Sequence, residues 1–116
     1  MVKLLNVTKN NNCISDSVHI ADTFKKRLVG LLGKKTLPDS ECLWIKDCPS
    51  VHTFFMNFSI DVVFVDKNLK VTNIHKNLTP WRMTPLFQIK NNSCFEFKAG
   101  CLPENINLGD QLNVHS

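Results

Sequence analysis

The sequence predicts a mainly β domain, an antiparallel sandwich or partly closed barrel with one short helix near its N-terminus. Three observations point there. The apolar runs are short and rich in Val, Ile, Leu and Phe, and several alternate with polar residues in the period of a pleated strand. Turn-forming clusters separate them, at Lys9 to Asn12, Asp66 to Asn68 and Gly109-Asp110. At 116 residues, 43% hydrophobic and 21% charged, the chain suits one domain over 1–116 with a single real core.

Each element has its own warrant. Residues 2–7 and 14–21 form an expected N-terminal hairpin across the polar turn, with Val18 and Ile20 on one face. Asp22 suits the N-cap of a helix reaching Leu31 or Leu32, where Phe24, Leu28 and Leu31 recur at helical spacing and Gly33 ends it. Residues 42–45 make a short apolar strand. Residues 58–65 make the strongest one, apolar on both faces after Asp61 and so placed centrally. Residues 69–74 return as its partner across Asp66-Lys67-Asn68. In 94–98, Phe95 and Phe97 alternate with Glu96 and Lys98, the pattern of a half-buried strand that Gly100 breaks. A last strand over 111–114 follows Gly109-Asp110.

Composition excludes several function classes. The net charge is +4 and the pI about 8.9. The bases are scattered, with small groups at 25–27 and 34–35, so no basic stripe marks a nucleic-acid partner. No apolar run approaches the ~20 residues of a membrane span. The first eight residues are too short and too polar for a secretory leader, which places the chain in the cytoplasm. There the five cysteines, Cys13, Cys42, Cys48, Cys94 and Cys101, are expected to remain thiols. A Cys94–Cys101 bridge is the alternative in an oxidising compartment. No C-x-x-C, phosphate loop, H-E-x-x-H, G-x-S-x-G or dinucleotide fingerprint occurs, so neither a metal nor another cofactor is expected.

Chemistry concentrates in one stretch, 48–64, which places Cys48, His52, Thr53, Met56 and Asp61 beside the strongest strand. Asp61 shares a face with Val63 and Val65, so its carboxylate needs donors. Backbone amides, Thr53, His52 and Arg82 are the candidates. It either clasps a loop onto the sheet or orients His52 in a ligand pocket. Cys48 and His52 suggest a nucleophile and its base. In an extended chain, however, they lie about 13 Å apart, and they meet only if Cys48 caps a helical turn with Pro49 in its first position. The plainer reading makes Cys48 a small buried hydrophobe. A mixed metal site of Cys48, His52 and Asp61 is conceivable, but His19, His75 and His115 show no paired spacing to support it. Met56, beside Phe54, Phe55 and Phe58, fills the core or lines a pocket. Trp81 packs on a sheet edge or stands exposed as a ligand platform. Arg82 pairs with Asp61 or Glu96, or holds an anionic ligand.

The segments Leu28-Val-Gly30-Leu-Leu-Gly33, Val51-His52-Thr53-Phe54-Phe55-Met56, Ile60-Asp61-Val-Val-Phe64-Val-Asp66, Pro80-Trp81-Arg82, Phe95-Glu96-Phe97-Lys98-Ala99-Gly100 and Gly109-Asp110 run in order across about residues 18 to 114. Together they resemble the family called domain of unknown function 192, in the branch that carries a His-Thr-x-x-Met motif. Phe55 stands where that branch is expected to carry glycine, and Ser59 where it carries proline. The resemblance implies a small, mainly β domain, found mostly in prokaryotes, with no agreed biochemical activity. It also implies that His52, Thr53, Met56, Asp61, Arg82 and Glu96 belong to a shared constellation, either architecture or pocket.

The function expected on these grounds is that of a non-enzymatic ligand-binding or accessory domain, probed at a polar pocket of His52, Thr53, Met56, Asp61, Trp81, Arg82 and Glu96 near the central strand. Its partner would be a small ligand or a protein, and the chain a monomer. The alternatives are a small enzyme using Cys48 or His52 with Asp61, and a purely structural interaction module.

Overall fold

The computed structural model describes residues 2–21, 37–48, 51, 53, 56–84 and 91–116. They form a mainly β domain of two sheets that do not close into a barrel. The predicted helix over 22–32 lies outside the described residues. Among those described, the helical content is one 3-10 turn, Val7–Lys9.

The smaller sheet has three strands in the order β2-β1-β8. The first, β1 (Lys3–Asn6), pairs antiparallel with both β2 (Asn12–Ser15) and β8 (Leu112–His115). The predicted hairpin is therefore present, but its second strand is divided. At Asp16 the chain bends, and β3 (Ser17–Ala21) joins the other sheet. Ser15 supports the bend: its hydroxyl accepts from the Ser17 amide at 3.3 Å and donates to the Ser40 carbonyl at 2.7 Å. A strand that bends between sheets closes a sandwich corner without a separate loop.

The larger sheet has five strands in the order β3-β4-β7-β5-β6, with β4 at Glu41–Ile45, β5 at Ile60–Val65, β6 at Val71–Leu78 and β7 at Ser93–Lys98. Three of its four pairings are antiparallel, and β3 and β4 run parallel. The reason is connectivity. Consecutive strands that run parallel need a crossover, and the long segment between Ala21 and Glu41 supplies the length for one. The centre of the sheet is β7, not β5, and its residues from Ser93 to Phe97 are buried on both faces. The half-buried reading of 94–98 is corrected accordingly. Strand alternation identified the two sides of β7 but not that both are covered.

The pleat divides the apolar side chains into two sets. Facing the smaller sheet are Cys42, Val63, Val65, Phe95 and Phe97, packed against Leu4 and Leu112. On the opposite face Ile45, Ile60, Val62, Phe64 and Cys94 pack with Leu37, Val51 and Met56. Phe64, Phe95 and Phe97 are essentially sealed from solvent, and truncating any of them to alanine costs about 3–5 kcal/mol. Beyond β5, Asp66 fixes the turn to β6: one of its carboxylate oxygens accepts from the Asn68 and Lys70 amides at 2.8 and 3.0 Å. At the far end of the sandwich the buried Asp110 accepts from the Asn6 side chain, the Asn107 amide and the Lys9 ammonium.

Candidate functional site

Thr53 joins two of the motifs noted in the sequence. Its amide donates to the Arg82 carbonyl at 2.8 Å, and its own carbonyl accepts from the Trp81 amide at 3.1 Å and the Met56 amide at 3.2 Å. Its hydroxyl donates to the Thr79 carbonyl at 2.6 Å and accepts from the Arg82 amide at 2.9 Å. Two residues upstream, the Val51 amide donates to the Thr84 hydroxyl at 2.8 Å, and the Thr84 amide donates to the Val51 carbonyl at 2.8 Å. Val51 and Thr53 are thereby laced to the 79–84 loop. Thr53 and Thr84 are both buried, and each fills a place where a side-chain oxygen must stand in for missing ladder partners.

The loop so fastened presents its side chains outward. Trp81 is 58% exposed and Met83 47%, and Arg82 is exposed between them. Trp81 has a φ of 65°, a left-handed conformation that a bulky residue adopts only when its surroundings impose it. The bond from its amide to Thr53 is part of that constraint. The predicted pairing of Arg82 with Asp61 or Glu96 does not form; among the described residues its guanidinium makes no ion pair.

Asp61 is buried, at 2% exposure, on the face of β5 opposite to Glu96. The register makes this plain: Asp61 lies across from Phe97, which faces the smaller sheet, and Glu96 lies across from Val62, which faces the other way. The Asp61 carboxylate accepts from three backbone amides, Asn77 at 2.8 Å, Gly100 at 3.0 Å and Leu102 at 3.4 Å. Asn77 has a φ of 53° where the β5–β6 register shifts between Ile60 and Val62, so the carboxylate caps an amide that the bulge turns out of the ladder. Gly100, at φ 88°, turns the chain after β7 in a conformation that favours glycine. The first of the two sequence readings, a clasp, describes these contacts.

Glu96 is also buried, at 3% exposure, on the central strand. No hydrogen bond reaches its carboxyl from the described residues. Burial first, and then the neighbouring Cys48, push its pKa from the ordinary 4.5 up to about 8, so the group holds its proton at neutral pH. Cys94, two residues earlier on the same face, is fully buried, and Cys48 packs against the cluster that contains it. Burial is the main cause that raises the Cys94 thiol well above its usual range, with Cys48 and Glu96 adding to it.

The sequence candidates thus separate into three places. Thr53 and Met56 lie at the lacing, Trp81 and Arg82 on the loop above it, and Asp61 across the sheet. Cys48 and Glu96 stand near one another on the Met56 side. His52 lies outside the described residues. Among the described residues no set of His, Cys, Asp and Glu side chains gathers with metal-binding geometry, and no helix is long and apolar enough to cross a membrane. A cleft of about 330 Å³, lined by Trp44, Lys46, Asp66, Lys67, Leu69 and Ser93 among others, opens at a different edge of the large sheet. Sequence reasoning did not single out Cys94 as a partner for Cys48 or place Glu96 inside. The signal available was the apolar character of both neighbouring strands, which implies cover on both faces of a strand lying between them.

Two sheets around one core, with a loop fastened by Thr53 that exposes Trp81 and Arg82, define a small β-sandwich domain. The chain belongs to the family DUF192, described as "Uncharacterized ACR", whose model matches residues 5–114. It is similar to a UPF0127 protein of Pyrococcus horikoshii, 39% identical over 69% of this chain and 70% of that one. A UPF0127 protein of Pyrococcus furiosus is 38% identical over 68% of this chain and 69% of its own length. Two crystal structures share the fold. One, a protein of unknown function from Novosphingobium aromaticivorans, superposes with a TM-score of 0.75 at 20% identity, over 97% of this chain and 82% of that chain. The other, from Sinorhizobium meliloti and called "a putative transcription regulator", gives 0.79 at 18% identity, over 97% and 91%. At such identities the likeness is one of fold.

Proposed function

We propose that this chain is a non-enzymatic binding or accessory domain whose contact site is the 79–84 loop, with Trp81 as an apolar platform and Arg82 as an anion clamp. One observation carries the reading: an exposed tryptophan and an exposed arginine follow one another on a loop already fastened by Thr53. Ordering such a loop costs binding energy when it happens on association, and here that cost falls on folding. Trp and Arg are also the residue types that most often dominate binding energy. A carboxylate or phosphate beside an apolar or aromatic group matches the pair, since Arg82 offers two parallel N–H donors and Trp81 a flat face.

Asp61 then belongs to the framework, as does Thr53, whose carbonyl accepts from the Met56 amide, while Glu96 stands on the central strand. The domain is read as a cytoplasmic monomer without a nucleic-acid partner. An enzymatic reading through Asp61 loses support because its oxygens are occupied by amides.

Benzoate and 1-naphthoate serve as probes. Titration of either should quench tryptophan fluorescence saturably, and Arg82→Gln or Trp81→Ala should abolish the saturable phase without lowering thermal stability. Quenching that is linear in probe, or that persists in both variants, would overturn the assignment to this loop.

A further inference from the structure

Strand β4 ends at Ile45, which lies across from Cys94 on β7. The chain then turns through Lys46 and Asp47, with Asp47 at φ 54°, and the Cys48 amide donates to the Asn92 carbonyl at 2.8 Å. This return packs Cys48 against the cluster of side chains that contains Cys94, close enough to help raise the Cys94 thiol. Cys48 is half-buried and Cys94 sealed. The other three thiols lie elsewhere: Cys13 is exposed on β2, Cys42 faces the smaller sheet, and Cys101 follows the Gly100 turn near Asp39 and Lys98. The neighbour of Cys94 is thus Cys48, not the Cys101 that sequence proximity suggests.

We propose that Cys48 and Cys94 form a dithiol site that a low-molecular-weight disulfide oxidises reversibly to an intramolecular bridge. The accessible Cys48 reacts first. Its thiol gives up a proton to solvent and its sulfur attacks one sulfur of the small disulfide, whose S–S bond breaks; the departing thiolate takes up a proton. Cys94 then loses its proton, its sulfur attacks the Cys48 sulfur of the mixed disulfide, and the second small thiol leaves. Two protein thiols and one small disulfide become one protein disulfide and two small thiols, the two electrons passing to the small molecule. The second step is the slower, because the thiolate is the nucleophile and burial, reinforced by Glu96, holds Cys94 protonated. Its rate therefore rises about tenfold per pH unit while Cys94 remains mostly a thiol. This site is independent of the Trp81 and Arg82 loop.

Incubating the full chain with glutathione disulfide between pH 7 and pH 9, trapping free thiols with N-ethylmaleimide and measuring intact mass and peptide maps tests the proposal. The expected product has lost two hydrogen atoms, carries a cross-link between residues 48 and 94, and returns to the dithiol with dithiothreitol. Cys94→Ala should stop at one glutathione adduct on Cys48, and Cys48→Ala should leave Cys94 unmodified. Glu96→Gln should speed the second step above pH 8, where the carboxyl it replaces is ionised. Three results would each overturn the proposal: a wild-type chain that keeps a stable adduct on Cys48, one that bridges Cys94 to Cys101, or one that retains all its thiols. The wild-type peptide map decides even where a variant does not fold.

Discussion

Asp61 and Glu96 sit on hydrogen-bonded neighbouring strands, are almost equally buried, and have opposite surroundings. Asp61 accepts from three amides that the bulge at Asn77 and the turn at Gly100 leave without ladder partners. Each group solves the other's problem: the amides need an acceptor, and the carboxylate needs donors. Glu96 faces an apolar layer and two thiols, and its carboxyl keeps a proton to near pH 8. One buried acid ties loops to the sheet and the other is a standing cost that grows with pH. Burial alone therefore says little about what a charged residue does; the donors within reach decide it.

The most severe way to break this contrast is to remove the satisfied partner. Asp61→Ala leaves the Asn77, Gly100 and Leu102 amides without an acceptor, and a loss of about 3–5 kcal/mol is expected, from roughly 1–3 kcal/mol for each buried donor left unpaired. Equilibrium urea unfolding at pH 7 measures it. A loss below about 1 kcal/mol, the scale of one ordinary net hydrogen bond, would mean that water replaces the carboxylate and that the clasp contributes little.

Glu96→Gln probes the other side with the opposite sign. Below the unfolded value of 4.5 the carboxyl is protonated in both states and costs nothing extra. Between there and about 8 the folded chain holds a proton that the unfolded chain has released, so stability falls as pH rises. Above about 8 the full penalty, on the order of a few kcal/mol, is in place. The glutamine variant should thus match the wild type near pH 4, exceed it by about 1–3 kcal/mol at pH 9, and show a flatter profile between. Unfolding midpoints at pH 4, 6 and 9 check this, and identical profiles would place the Glu96 titration near its ordinary value.

Asp110 gives a second satisfied carboxylate for comparison. Burial pushes its pKa up, but the Asn6 side chain, the Asn107 amide and the Lys9 ammonium together outweigh that and hold it below the usual range. Its contribution is present above the unfolded carboxylate range and is lost as pH falls through the lower folded value. Asp110→Asn should cost about 1–2 kcal/mol at pH 7, with the difference from wild type vanishing in acid. A difference that persists unchanged at pH 2 would assign the effect to packing.

How much of this was legible in the sequence follows the same division. The strands were, because alternation and turn residues are local: β5 falls inside the expected 58–65, while β6 starts inside 69–74 but runs on to Leu78 and β8 starts inside 111–114 and ends at His115. The need of Asp61 for donors was legible too, because it sits in an apolar run. The identity of those donors was not, since amides 77, 100 and 102 reach it only after two turns and a bulge have formed. The burial of Glu96 was hidden for a related reason. Alternating Phe and charged residues look the same whether the second face meets water or another layer, and only strand order distinguishes them. The split at Asp16 depends equally on a distant contact, the Ser40 carbonyl that Ser15 reaches. The likeness to the family pointed to a shared set of residues without saying which of them act together.

The smallest expected effect sharpens the contrast most finely. Two causes raise the Glu96 carboxyl, burial first and the Cys48 thiol second. Cys48→Ala removes the second and leaves the first, because Cys48 is only half-buried while Glu96 is itself buried. The Glu96 midpoint, followed by carbon-13 NMR of the side-chain carboxyl, should therefore shift down only slightly and stay far above 4.5. The same variant leaves the Asp61 contacts intact, so its stability at pH 4 should stay within about 0.5 kcal/mol of wild type. A fall of the Glu96 midpoint into the ordinary carboxylate range would reverse the order of causes: a neighbouring thiol, rather than the apolar layer, would then set the difference between the two acids.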